Sequence, residues 1–418
     1  MKSLIILRGL VKSDKKNWVK SQGLETFFLD YDYHTMLYST PELILKSNTD
    51  KHDYLGRIKT KSAYESFLSA VNSRMESGCL VVLDIGMEKS TIYKTLAKIY
   101  GYTVFYKVFP IPQDYIGNPK KYSNPLYKTK TRDELLEEVN RFLNQQFEES
   151  TSIDTYEDLE KYWKNHYKYQ TIDIDSKEDL FVFSDIHGNY DLLMSTLTLH
   201  NIPITSYKVF LGDYIDGEKI PGGSRKMIEF IFSHGGYSTF IEGNHERRLR
   251  KYLYYLSTRG SSGEKNETLR NIIYNSLPKD WLSTVGKEFD PLTDKEAGEW
   301  LGKLNSDLVL FKVIRYNGNK FIFSHGGLRC LDQISPKYIV NLLYGNRDID
   351  QYGREFSRGV WSNTGIWSIH GHCKYPGENP QILKYDGVMN LDPQIERDVD
   401  APEIIYINLK NNKPCIVR

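Results

Sequence analysis

The chain has 418 residues, with 55 Lys and Arg against 54 Asp and Glu, a formal net charge of +1. That balance excludes an overall basic field as the source of any nucleic-acid binding, and the length argues for two domains. Hydrophobic content of 40% with 26% charged residues excludes a disordered chain, and no apolar run is long enough for a membrane span. Cys79, Cys330, Cys373 and Cys415 show neither disulfide nor zinc spacing, so a reduced, cytoplasmic setting is expected. The apolar part of Met-Lys-Ser-Leu-Ile-Ile-Leu-Arg is too short for a signal peptide and reads as a first buried strand.

Residues 1–150 read as a first domain. Leu4 to Leu7 form an apolar strand ending at Arg8-Gly9, and the residues around Lys12 to Lys20 turn into a helical pattern. This is the placement of a phosphate-cradling loop, which needs Gly-x-x-x-x-Gly-Lys-Ser/Thr. Only Gly9 and Lys15 stand in register; Asp14 takes the second glycine position and Lys16 the hydroxyl position. Asp14 puts a negative charge where the anion belongs, and Lys16 cannot hold magnesium, so loss of phosphotransfer is expected. Lys12, Lys15, Lys16 and Lys20 read either as contacts to the phosphates of an RNA end or as a solvated helix face. Thr26 to Leu29 form the next strand, running into Asp30-Tyr31-Asp32. Cys79 to Asp84 is a buried strand, Thr91 to Tyr100 a helix and Thr103 to Phe109 a further strand, an alternation that implies a parallel sheet. Thr131-Arg-Asp-Glu134 is a capping box opening a helix with Leu135, Leu136, Val139, Phe142, Leu143 and Phe147 on one face. Residues 151–178 read as a linker, with an amphipathic helix over Tyr156 to Tyr169.

Residues 179–418 read as a second domain built around strand ends. Leu180 to Phe183 lead into Ser-Asp185-Ile-His187-Gly188; Lys208 to Leu211 lead into Gly212-Asp213-Tyr-Ile-Asp216-Gly217; Thr239 to Ile241 lead into Glu-Gly243-Asn244-His245-Glu246. Two later strands end in Ser-His325-Gly-Gly327 and Ile-His370-Gly371-His372. The carboxyl ends of neighbouring strands in an α/β sheet converge on one crevice. Asp185, His187, Asp213, Asn244, His325, His370 and His372 form a donor pool large enough for two metals sharing one carboxylate, and imidazole mixed with oxygen suits Mn, Fe or Zn. Arg247 to Leu310 is a mostly helical insertion. Trp281, Trp300 and Leu301 are expected in its core, whereas Tyr252, Tyr254 and Tyr255 are candidate base-stacking residues. His234 follows a helical run and is expected to be a turn residue.

The order Asp-x-His, Gly-Asp-x-x-Asp, Gly-Asn-His-Glu, His-Gly-Gly, Gly-His resembles the calcineurin-like binuclear metallophosphoesterases over residues 178 to 410. The likeness is nearest to bacterial and phage polynucleotide kinase–phosphatases and to diadenosine tetraphosphate hydrolases. It implies a β-sandwich and two divalent ions, Mn foremost, with Ni, Fe or Zn as alternatives. It places Asp185, His187 and His372 on one ion and Asn244, His325 and His370 on the other, with Asp213 bridging. His245 would be the general acid and Asp216 its orienting partner. Such an ion pair, about 3.5–4 Å apart, clamps the attacking and leaving oxygens of an in-line displacement. Arg8-Gly9-Leu10 and Lys16-Asn-Trp18-Val-Lys20 resemble the start of 5′-polynucleotide kinase domains, which place a general-base Asp where Asp32 stands. The basic lid of that family would lie near Lys120 to Arg132, without its arginine pattern.

Two positions depart from the family. Its pattern carries a phosphate-binding Arg after the second Asp, where this chain has Gly217, leaving Arg247, Arg248 or Arg225 as replacements. Asp392, in Met389-Asn-Leu-Asp392-Pro393, reads either as a residue beside the site or as a turn residue. The expectation is a two-domain α/β protein: a degenerate kinase-like parallel sheet followed by a metallophosphoesterase. It would remove a 2′- or 3′-phosphate, or open a 2′,3′-cyclic phosphate, at RNA ends, with an RNA ligase among its expected partners. The alternatives are a dinucleoside polyphosphate hydrolase, a protein Ser/Thr phosphatase, and a nucleic-acid-binding scaffold with a vestigial metal site.

Overall fold

The structure, a computed structural model, describes residues 2–9, 12–37, 61–86, 90–112, 133, 137, 140, 152–168, 171–175, 177–217, 221–261, 264–328, 334–344, 366–372, 383–385, 388–391, 404–410 and 413–417. It divides into two compact units: Lys2–Tyr162 with Gly263–Ile272, and Trp163–Ser262 with Ile273–Arg418. Of the expected helix after Thr131, residues 133, 137 and 140 are described and are helical; the lid near Lys120 to Arg132 and Asp392 lie outside the described residues.

The first unit alternates strand and helix: β1 (Lys2–Arg8), α1 (Lys12–Ser21), β2 (Phe28–Asp30), α2 (Tyr31–Leu37), α3 (Lys61–Glu76), β3 (Val81–Asp84), α4 (Thr91–Tyr100) and β4 (Tyr102–Val108). The sheet order is β2-β3-β1-β4, and every pair is parallel. Leu4 to Leu7 and Val81 to Leu83 are fully buried, as continuous apolar runs must be when both sheet faces are covered. α4 buries Tyr93, Leu96, Ala97, Ile99 and Tyr100, and ends at Gly101, whose φ of 67° is the left-handed stop. β1 and β3 are neighbours whose following connections run in opposite directions, which opens a crevice at their carboxyl ends. Lys15 and Asp84 meet there, both buried, with Nζ 2.7 Å from Oδ1. Asp30 also sits at a strand end; its Oδ1 accepts the Asp32 N–H at 3.0 Å and the Tyr33 N–H at 3.4 Å, capping α2.

The helix expected in the linker is α5 (Tyr156–Lys168). Thr155 and Asp158 start it reciprocally: the Thr155 N–H donates to Asp158 at 2.8 Å, and the Asp158 N–H donates to the Thr155 hydroxyl at 3.2 Å. The boundary between the two units falls inside this helix, between Tyr162 and Trp163.

From Thr171 the elements are β5 (Thr171–Asp173), β6 (Leu180–Phe183), α6 (Tyr190–Leu199), β7 (Tyr207–Phe210), α7 (Gly223–Ser233), β8 (Ser238–Ile241), α8 (Glu246–Ser257), α9 (Glu264–Asn275), α10 (Asp294–Asp307), β9 (Leu308–Val309), β10 (Phe311–Tyr316), β11 (Asn319–Ser324), α11 (Ile339–Tyr344), β12 (Ile366–His370), β13 (Leu383–Tyr385), β14 (Val388–Asn390), β15 (Ile404–Asn408) and β16 (Lys413–Val417). They build two six-stranded sheets, β16-β15-β6-β7-β8-β9 and β13-β14-β12-β11-β10-β5. One apolar cluster joins them: Val182, Val209, Ile241 and Ile407 from the first sheet pack with Ile314, Phe323, Ile369 and Met389 from the second. This is the sandwich that the resemblance implied. Side chains alternate along each strand, and the residues on the opposite faces include apolar ones too. Phe183, Phe210 and Phe240 stack in a row on one outer face, and Val313 and Ile322 meet Trp163, Ile339 and Leu342 on the other.

The helical insertion lies between β8 and β9. A capping box starts α10: the Glu296 N–H donates to the Thr293 hydroxyl, and the Thr293 N–H to the Glu296 carboxylate. Trp281 is buried as expected, next to a π-helical turn at Leu282–Gly286, and Leu301 is buried as well. Trp300 meets Phe232 and Phe289 edge-on. Tyr252 and Tyr254 differ from expectation. Both are buried, and Tyr252 stacks on Tyr255, meets Trp281 edge-on and bonds Asp290, so neither offers a face to a base. A tyrosine beside a basic run reads the same whether its helix face points outward or into a cap, and here α8 packs on α10. His234 closes α7, stacked on Phe230 at 4.0 Å, as a turn residue should.

Candidate active site

The strand ends of the sandwich carry the candidate residues on strained backbone. Six non-glycine residues among those described have positive φ, and four are motif positions: His187 (48°), Asp213 (47°), Asp216 (68°) and His372 (56°). Each such residue costs on the order of 1–3 kcal/mol and persists only where its surroundings fix it. The surroundings here are other strand-end loops. The N–H groups of Ile186 and His187 donate to the Asp213 carbonyl at 3.0 and 2.8 Å, and the Gly371 N–H donates to the His325 carbonyl at 3.0 Å. Two glycines let carboxylates lie directly on the backbone. A Cβ at Gly243 would stand 2.2 Å from Asp213 Oδ1, and one at Gly371 would stand 2.2 Å from Asp185 Oδ1.

Glu246 fastens this arrangement, a role that sequence reasoning missed. Fully buried, it accepts the N–H groups of Asp213 (3.2 Å), Tyr214 (2.8 Å) and Gly243 (2.9 Å), tying the loop after β7 to the loop after β8. Burial and the nearby Asp213 push its carboxyl up to about 7, against the pull of the Tyr214 N–H. The available signal was an acid directly following Gly-Asn-His at a helix start, which reads equally as an ordinary first-turn Glu.

Asp213 is the hub. Its Oδ2 is 3.2 Å from His325 Nε2, 3.7 Å from His245 Nε2 and 4.0 Å from His372 Nδ1. His325 Nε2 is also 3.0 Å from the Asn244 amide oxygen, and His325 Nδ1 is 3.8 Å from Asp185. The His372 N–H donates to Asp185 at 3.3 Å. Ligand atoms of His187, Asp213 and His245 lie within 4.8 Å of one another, and so do those of Asp213, His325 and His372. Two groups sharing Asp213 are the arrangement a bridging carboxylate requires. His372 groups with His325 here, rather than with His187 as the resemblance has it, and His370 stands in neither group.

Charge explains the protonation states. Burial works to raise Asp213, but His325, His245 and His187 overcome it and hold Asp213 well below the ordinary carboxylate range. Burial opposes protonation of His325 too, yet Asp213 and Asp185 push it up to about 10. Burial, reinforced by His325, pushes His370 down to about 4, so it is neutral at pH 7.

The donor set fits divalent metal. Three imidazoles place Nδ1 against a main-chain carbonyl: His187 on Asp216 (2.6 Å), His325 on Leu211 (2.8 Å) and His370 on Gly371 (2.9 Å). A neutral imidazole that donates Nδ1–H to a carbonyl presents the lone pair of Nε2, the arrangement found in metal-ligating histidines. A cation bound there would take the place of the proton that Asp213 and Asp185 favour on His325, because metal binding to such a set releases protons.

Beside this cluster stands His245. Its Nδ1 is 2.9 Å from Asp216 Oδ2, and its N–H donates to Asp213 at 3.1 Å. Burial resists its charge, but Asp213 and Asp216 push it up to about 9. His245 is therefore an imidazolium at neutral pH. Arg248 ion-pairs with the same Asp216 oxygen. Arg247 is buried, its guanidinium 6.0 Å from the centre of the Tyr344 ring, and Arg225 bonds Glu229 and the Glu288 carbonyl. In the first unit, Gly9 is buried at the end of β1 against Phe109, Lys15 is paired with Asp84, and Asp32 lies in the first turn of α2.

No helix among the described residues is long and apolar enough to cross a membrane. No curated protein matches the sequence. Among solved structures, the chain is similar to a candidate diadenosine tetraphosphatase, with 16% identity over 59% of this chain and 97% of that chain, at a TM-score of 0.37. It is also similar to a protein serine/threonine phosphatase from Saccharomyces cerevisiae, with 10% identity over 68% and 95% of the two chains and a TM-score of 0.34. A third is the phosphoesterase Yfce from E. coli, with 12% identity over 57% and 98% of the two chains and a TM-score of 0.25. Residues 179–388, half of the chain, match the description "Calcineurin-like phosphoesterase". That match runs from the strand before Asp185 to beyond the His370-Gly371-His372 loop, across every residue of the Asp213 cluster, and the chain belongs to the calcineurin-like phosphoesterase family.

Proposed function

We propose that this metal-dependent phosphoesterase acts on RNA ends, removing a 2′- or 3′-phosphate or opening a 2′,3′-cyclic phosphate. The observation that supports an RNA end over other phosphoesters is the companion unit. It holds a parallel sheet, and the residues at the end of β1 and in α1 are among those that resemble a polynucleotide kinase. The buried Lys15–Asp84 pair supports loss of phosphotransfer there, because the lysine that should meet a phosphate is neutralised internally. The domains on this reading are a kinase-like 1–150, a linker 151–178 and a phosphoesterase 179–418, in the cytoplasm, with an RNA ligase as partner.

Asp185, His187, Asp213, Asn244, His325, His370 and His372 would hold two divalent ions, manganese first, with Asp213 shared. When bound, those ions polarise the phosphate and activate water. The chain's own residues do the rest. His245 gives its proton to the ribose oxygen as the P–O bond breaks, so that the ribose leaves as an alcohol and water supplies the fourth oxygen of the phosphate. Asp216 holds that imidazolium charged and aligned through Nδ1.

The test is a substrate panel with manganese: RNA ending in 3′-phosphate, 2′-phosphate or 2′,3′-cyclic phosphate, diadenosine tetraphosphate, a phosphopeptide, and ATP with a 5′-OH oligonucleotide. Turnover confined to the RNA ends is the expected result. Turnover of only the polyphosphate or only the phosphopeptide would overturn the RNA assignment and leave the phosphoesterase.

A further inference from the structure

Phosphate transfer needs a cation on the outward oxygens of the phosphate, besides whatever holds the attacking and leaving ones. Gly217, the residue directly after Asp216, has no side chain to supply it. Gly217 has φ +123°, and a Cβ there would lie 3.1 Å from the His187 Cβ, so an L side chain there would be strained and would crowd His187. The basic run at the start of α8 offers four cations, three of them buried. Arg250 is paired with Glu242 and donates to the Leu304 carbonyl; Lys251 donates to Ser276; Arg247 lies over Tyr344. Arg225, from α7, is held by Glu229 and the Glu288 carbonyl.

Arg248 is different. Its side chain is 35% exposed, and Nη1 is anchored on Asp216 Oδ2, the oxygen that also holds His245. A guanidinium has five N–H donors in a fixed fork. One is committed to Asp216, which sets the others beside the proton donor at the rim of the cluster.

We propose that Arg248 binds the substrate phosphate and makes the site select terminal phosphomonoesters over phosphodiesters. The proposal rests on the phosphoesterase reading above. A monoester carries close to two negative charges near neutral pH, and a diester carries one. A fixed guanidinium in a partly desolvated site therefore stabilises the monoester more. Of the two RNA-end reactions, Arg248 favours removal of a 2′- or 3′-phosphate over opening of a cyclic phosphate.

The experiment uses the full manganese-loaded chain, wild type, Arg248→Ala and Arg248→Lys, with p-nitrophenyl phosphate and bis(p-nitrophenyl) phosphate. Inorganic phosphate serves as a competitive inhibitor. In Arg248→Ala, kcat/KM for the monoester should fall about tenfold to a hundredfold, mostly through KM, and inhibition by phosphate should weaken by a similar factor. The diester should change little, and Arg248→Lys should recover part of the loss. Equal loss on both substrates with unchanged phosphate inhibition would overturn the proposal and make Arg248 a brace for Asp216. Wild-type activity that Arg248→Ala leaves intact would overturn the proposal alone. A wild-type chain that hydrolyses neither ester would overturn the phosphoesterase reading, and this inference with it.

Discussion

Asp216 and His245 show how a single carboxylate oxygen sets chemistry at the residue scale. His245 Nδ1 and the Arg248 guanidinium both end on Asp216 Oδ2, while His245 Nε2 looks toward Asp213. The imidazolium is thus held between two carboxylates, and its proton is needed only when the leaving oxygen is a poor leaving group. His245→Ala should lower kcat for an alkyl phosphate by about 10²–10⁴, and for p-nitrophenyl phosphate by much less. Parallel assays on the two esters decide it; equal losses would remove His245 from the role of acid. The hub residues behave differently, since Asp213→Ala and His325→Ala should abolish turnover of every phosphoester. The donor pool was legible in the sequence because each member lies just past an apolar strand, in a segment that also carries a glycine, a combination that a strand-end site produces. Glu246 was not legible, because it works through main-chain N–H groups, two of them on residues more than 30 positions earlier, and no side-chain pattern records that.

Loops pinned to loops are the working unit at the scale of elements. Gly243 follows β8, yet its missing Cβ is the space that Asp213, from the loop after β7, occupies. Gly371 does the same for Asp185 across two sheets. Gly243→Ala should therefore leave most of the sandwich folded at a cost of about 1–3 kcal/mol, while lowering kcat on the order of 10²-fold by displacing the hub. Circular dichroism beside the phosphatase assay separates the two effects; a fully active Gly243→Ala would mean that Asp213 does not lie on that backbone. Strand and helix positions followed from period and caps to within a residue or two: Leu4 to Leu7 became Lys2–Arg8, and Thr103 to Phe109 became Tyr102–Val108. The facing of α8 did not follow. Its basic and aromatic residues alternate closely enough that Tyr252 reads as exposed or buried until α10 is placed against it.

Two compact units carry separate charge arrangements at the scale of the whole molecule. All the candidate ligands come from the sandwich, between Asp185 and His372, and the first unit keeps its own buried Lys15–Asp84 pair. Each arrangement can be tested by changes confined to its own unit. Manganese should raise the melting temperature of the full chain, because saturation at about a hundred times Kd is worth about 2.7 kcal/mol, or roughly 5–10 °C for a domain of this size. A chelator should reverse the shift, and Asp213→Ala should abolish it with no enzyme assay needed; a melting point indifferent to manganese would count against the metal centre itself. Lys15→Met strikes the other unit. Removing one partner of a buried ion pair leaves an uncompensated carboxylate and costs about 3–5 kcal/mol. The double change Lys15→Met, Asp84→Asn removes that charge and should recover much of the loss. Hydrolysis of p-nitrophenyl phosphate by the manganese-loaded protein should be the same in all three, because no ligand of the cluster lies before residue 185. A single Lys15→Met variant with wild-type unfolding would show that solvent, not Lys15, answers Asp84. A rescued double variant would instead establish that Lys15 and Asp84 act as one buried pair.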